Sequence, residues 1–116
     1  MKQATSFSAE YPPGFVLFRM HDVSGFGNEA LAGELVAALP DESTDPAPNI
    51  LVDCADVQNP NSMFLESLVQ LSRRAHQRSV GFALCNVKAH LKEVLGISNL
   101  DRIWTIHESL EEALAS

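Results

Sequence analysis

Three short runs, Phe15-Val16-Leu17-Phe18, Ile50-Leu51-Val52 and Phe82-Ala83-Leu84-Cys85, are apolar at every position. A strand with one wet face alternates apolar and polar residues, so runs without alternation belong to strands covered on both sides. Between them lie segments of helical period. Phe64, Leu68, Leu71 and Ala75 fall at i, i+4, i+7 and i+11, one face of a long helix. Buried strands alternating with helices favour a parallel or mixed sheet, because parallel neighbours need a crossover. The expected fold is α/β, a mixed sheet with helices packed against it, in one domain over residues 1–116.

The rest of the chain fills in this frame. The segment Thr5 to Glu10 runs into Tyr11-Pro12-Pro13-Gly14, a turn signal, and predicts a hairpin with the Phe15 strand. Asn28 is placed to cap a helix carrying Leu31, Leu35, Val36 and Leu39, which Pro40 stops. Residues 41 to 48 are acidic and turn-rich, a surface loop. The long helix is expected to start at Ser62 and to gather Arg73, Arg74, His76 and Arg78 in its last turns, where cations suit the dipole. A helix from Val87 ends at Gly96, Trp104-Thr105-Ile106 forms a last strand, and Ser109 to Glu112 has the spacing of a capping box. The predicted order is ββαβαβαβα, with the Phe15, Leu51 and Phe82 strands at the centre of a four- or five-stranded sheet.

Composition narrows the function. A formal net charge of −7 repels nucleic acid. No apolar run approaches the ~20 residues of a membrane span, and the polar start of the chain does not resemble a secretory signal. A cytoplasmic protein is expected, and in that compartment Cys54 and Cys85 are two reduced, shielded thiols. The thiols sit near the ends of strands joined by one helix, so neighbouring strands would also allow them to be close. The four histidines have no metal-site spacing, and no nucleophile elbow, CxxC or phosphate loop is present. These observations point to no catalytic residues, cofactor or metal, and so to a binding protein rather than an enzyme.

Two positions attract attention. Asp53 ends a strand, where α/β proteins place functional groups, although a strand-ending Asp also serves to hold the following loop. Ser62 is expected as the N-cap of the long helix, exposed at its positive end, where free N–H groups favour a phosphate. Phe64 belongs to the core face. Met63 falls off that face, and Met is an adaptable residue at binding surfaces.

From Ile50 to Ala115 the chain resembles a STAS domain, the family of bacterial anti-sigma factor antagonists and sulfate-transporter tails. The residues that carry the resemblance are Leu51-Val52-Asp53, Asn61-Ser62-Met63-Phe64-Leu65, Leu95 to Ile103 and Glu111-Glu112-Ala113-Leu114. The second stretch stands where the family usually has Asp-Ser-Ser-Gly-Leu. Asn61, Met63 and Phe64 depart from that motif, and Asn59-Pro60 replaces the usual apolar pair before it.

The resemblance implies that Ser62 accepts phosphate from a partner kinase that doubles as an anti-sigma factor. It also implies a partner-binding face made of Asp53, Asn61, Ser62 and Met63. The partner is then a protein: an anti-sigma factor and serine kinase, or another STAS-containing complex. Two further readings stand beside this one. One is an unphosphorylated scaffold subunit of a larger complex, and the other is a sensor holding a nucleotide or lipid near Ser62.

Overall fold

In the computed structural model, which describes residues 7–21, 31–41, 43–57 and 60–115, the sheet has five strands whose spatial order equals their chain order. They are β1 (Phe7–Glu10), β2 (Phe15–Met20), β3 (Asn49–Asp53), β4 (Phe82–Cys85) and β5 (Thr105–His107). Strands β1 and β2 form the expected antiparallel hairpin, and every later pairing is parallel. The predicted mixed sheet, with the three apolar strands at its centre, is the observed one. The helices are α1 (Leu31–Ala37), α2 (Ser62–Arg78), α3 (Ala89–Ile97) and α4 (Leu110–Ala115).

Side-chain alternation gives the sheet two unequal faces. Val16, Phe18, Met20, Ile50, Val52, Cys54 and Leu84 point to one side and share a core with Leu31 and Leu35 of α1, the apolar face of α2, and Leu91 and Leu95 of α3. The other side holds a smaller core of Leu17, Leu51, Cys85 and Ala113, closed by α4 through Leu110 and Leu114. Three crossover helices therefore cover one face, and one short helix covers part of the other. No helix among the described residues is long and apolar enough to cross a membrane.

Helix α2 is the longest element, and its ends are well defined. At its carboxyl end Ser79 is left-handed, at φ 59°, with Ser79 N–H bonded to His76 O and Val80 N–H to Ala75 O. That pattern is a Schellman motif with serine where glycine is usual. Arg78 donates from Nη1 to Pro40 O at 2.8 Å and so ties the helix to the end of the α1 segment. At α4, Glu112 N–H donates to Ser109 Oγ at 3.1 Å, as the capping-box spacing predicts. The Glu112 carboxylate, however, takes the N–H of Glu108.

Several boundaries differ from the sequence reading. The predicted helix start at Asn28, and Thr5 and Ser6 of the predicted first segment, lie outside the described residues. Helix α3 begins at Ala89 after Lys88, because Val87 packs against the core from the preceding loop, and it runs one residue past Gly96. Trp104 precedes the last strand instead of opening it. Its backbone N–H is already bonded to Leu100 O, the same carbonyl on which the Ile103 N–H closes an unanticipated 3-10 turn over Leu100–Arg102.

Candidate functional site

The candidate site lies beyond the carboxyl ends of β3 and β4, where the chain turns into α2 and α3. Here the structure corrects the cap. Asn61, not Ser62, is the N-cap of α2, extended at φ −128° and ψ 177°, and its Oδ1 accepts the Phe64 N–H at 2.8 Å. The Asn61 carbonyl also takes the Leu65 N–H. Ser62 is therefore the first residue of the helix, exposed, and its hydroxyl is not needed to hold the helix end. Both residues are good caps by type, and only the backbone angles decide between them.

The next residues divide between surface and core. Met63 is 39% exposed, as expected from its position off the core face, whereas Phe64 is fully buried. Ser67, one turn on, is buried, and its hydroxyl is satisfied by Met63 O at 2.9 Å. Asn61, Ser62 and Met63 thus form a continuous surface step over a rigid apolar base.

Asp53 does not join that surface. It is 5% exposed, and both carboxylate oxygens are engaged. Oδ1 accepts Ala55 N–H at 3.0 Å and Asn86 Nδ2 at 3.0 Å, and Oδ2 receives Arg19 Nη1 at 3.3 Å. The loop-holding role is the one the geometry displays: Asp53 fixes the segment leading toward Ser62 and the turn between β4 and α3. Asn86 sits at φ 56°, a left-handed conformation that Asn tolerates well, which aims its amide at Asp53.

Arg19 and Asn86 were not singled out from the sequence. A cation in β2 among inward-facing Val16, Phe18 and Met20 must point to the other face and find an acceptor, and that signal was available for Arg19. Its Nε also donates to Glu10 Oε2 at 2.6 Å. The Glu10 hydrogen bond first, and then the charges of Glu10 and Asp53, raise the guanidinium's already high pKa.

Strand register explains the thiols. Asp53 pairs with Cys85, so Cys85 shares the α4 face with Asp53, while Cys54 points into the larger core. The strands are neighbours, yet the two sulfurs sit on opposite sides of the sheet. Both thiols are free and fully buried. Burial, reinforced by Asp53, pushes Cys85 up to about 12 and lifts Cys54 well above the ordinary thiol range.

These shifts have a definite sign. A folded-state pKa raised above the ordinary 9.0 leaves stability intact below that pH and removes it as pH climbs towards 12. Melting temperature should therefore fall steadily from pH 9 upward, and less so in Cys85→Ala. At neutral pH a thiol reagent should label the native protein slowly and the unfolded chain at once. Rapid labelling of both cysteines in the folded protein would contradict this arrangement.

The STAS domain model matches residues 6–113, and the chain belongs to that family. A candidate anti-sigma factor antagonist from Thermotoga maritima superposes with a TM-score of 0.78 at 19% identity, covering 94% of this chain and 92% of that one. An anti-sigma-factor antagonist (STAS) domain protein from Planctomyces limnophilus gives 0.77 at 22% identity, with 94% and 95% covered. The anti-sigma factor antagonist SpoIIAA in its unphosphorylated form gives 0.74 at 16% identity, with 93% and 92% covered. At these identities the likeness is one of fold. No curated protein matches by sequence.

Proposed function

We propose that this chain is a cytoplasmic regulatory module that binds a protein partner, in the manner of an anti-sigma factor antagonist, and has no catalytic activity of its own. Its docking face is the step formed by Asn61, Ser62 and Met63, and phosphorylation of Ser62 switches that face off. The partner is an anti-sigma factor with serine kinase activity.

The observation that carries this reading is the separation of duties at the start of α2. Asn61 holds the helix, which leaves the Ser62 hydroxyl exposed and free of a structural task. A phosphate there adds about −1.5 to −2 charges at the positive end of a helix, which the fold tolerates. A partner that covers the site must instead desolvate that charge, which is costly without a matching cation. The modification thus acts on binding and spares the fold. The SpoIIAA structure, described as unphosphorylated, belongs to a relative with the same architecture and is consistent with such a cycle.

The test separates stability from affinity. Asn61→Ala should destabilise the domain by about 1 kcal/mol through loss of the cap. Ser62→Ala should melt within roughly 0.5 kcal/mol of wild type. Ser62→Asp should gain about 0.3–1 kcal/mol from the dipole and nonetheless bind at least tenfold more weakly. Capture from source-cell extract with wild type and with Ser62→Asp identifies the partner, and calorimetry with that purified partner measures the ratio. If Ser62→Asp binds as tightly as wild type, the switch is absent and the unphosphorylated scaffold reading replaces it.

A further inference from the structure

A recess lies toward the opposite end of α2, where Arg73 stands 11 residues and hence about 16 Å along the helix from Ser62. It is an open cleft of about 480 Å³ between the last turns of α2 and the segment that enters β5. Val80, Phe82 and Trp104 form its apolar floor, and Phe82 and Trp104 meet edge to face with centroids 5.2 Å apart. Ile103 stands on its margin and is 73% exposed, a large apolar side chain that the fold itself does not use. Arg73 and His76 line the same cleft, three residues apart on one helix face. Neither is among the residues engaged in ion pairs in the described structure. In a chain of net charge −7, cationic and imidazole groups left over beside an aromatic floor stand out against the average field.

The volume falls within the range of small-molecule sites, which pair apolar walls with a few convergent polar groups. We infer that this cleft binds a small amphipathic anion, with an apolar body against Phe82, Trp104 and Ile103 and a carboxylate or similar head against Arg73 and His76. The same chemistry is offered by a free fatty acid and by an aromatic acid. The proposal is independent of the switch at Ser62, because the two sites share no residue and lie at opposite poles of the helix.

Trp104 is the chain's only tryptophan, so its fluorescence reports this cleft directly. Octanoate, below micelle-forming concentrations, and 2-naphthoate should each be titrated into the full chain, with octanol as the neutral control. A saturable change in Trp104 emission is expected with at least one of the carboxylates, and the tighter of the two shows whether the body is aliphatic or aromatic. Octanol should bind at least tenfold more weakly than octanoate. Arg73→Gln with His76→Gln should weaken the carboxylate at least fivefold while leaving the melting temperature near wild type, since both residues are exposed. Ile103→Ser should also weaken it, and Ser62→Asp should leave it unchanged. Equal binding of octanol and octanoate would overturn the proposal. So would saturation by an acidic, apolar peptide when neither carboxylate binds, which would make the cleft a protein-docking surface.

Discussion

Phe64→Ala is expected to destabilise the domain by about 3–5 kcal/mol, as truncation of a fully buried aromatic does when the cavity collapses only partly. Total stabilities of domains this size run at about 5–15 kcal/mol, so the variant should sit close to unfolding. The ring lies between α2 and the sheet, within the core that also holds Val52, Cys54 and Leu68. It supports the first turn of the helix from beneath. Phe64→Gly, which restores the residue usual in the family, should be worse still, since glycine costs roughly 1 kcal/mol relative to alanine in a helix. Urea unfolding measures both. A midpoint shift no larger than that of an exposed-site variant would show that this ring is not the base of the docking step.

Asp53→Ala should be the second severe change, at roughly 2–4 kcal/mol, because it strands three donors at once. The loss divides unevenly. Arg19 keeps Glu10 and is 40% exposed, so its pairing contributes little. Asn86 and the Ala55 N–H have less access to water and lose more. The expected order of destabilisation is therefore Asp53→Ala, then Asn86→Ala, then Arg19→Gln. Asp53→Asn should fall between the first two, since an amide can still accept one bond but turns a donor toward a donor. Hydrogen exchange adds a local readout: the Ala55 amide should lose protection in Asp53→Ala while amides in the middle of α2 retain theirs. If Asp53→Ala unfolds at the wild-type urea midpoint, the carboxylate does not organise this end of the sheet.

The fold was legible because it rests on local patterns. Each central strand announces itself as an unbroken apolar run, and α2 as a clean helical face, so the pairing order follows from the crossover rule. The site was less so. Asn61 and Ser62 are adjacent residues of nearly equal capping preference, and composition has no means of choosing between them. The Asp53 network joins residues 33 and 34 positions apart, through a strand, a turn and a hairpin. Periodicity carries no trace of such a junction. Trp104 looked like part of a strand because its neighbours are strand formers, yet its N–H is committed to the preceding turn.

The identity of chain order and sheet order has a consequence for biosynthesis. Each strand docks beside the one made just before it, so the sheet can assemble as the polypeptide leaves the ribosome, hairpin first. The larger core is completed in step, because every crossover helix precedes the strand that fixes it. The smaller core is not. Leu17, Leu51 and Cys85 remain without a lid until α4, which follows all five strands, is synthesised. A chain cut before Leu110 should therefore be ordered on one side of the sheet and leave an adhesive apolar patch on the other, a substrate for chaperones.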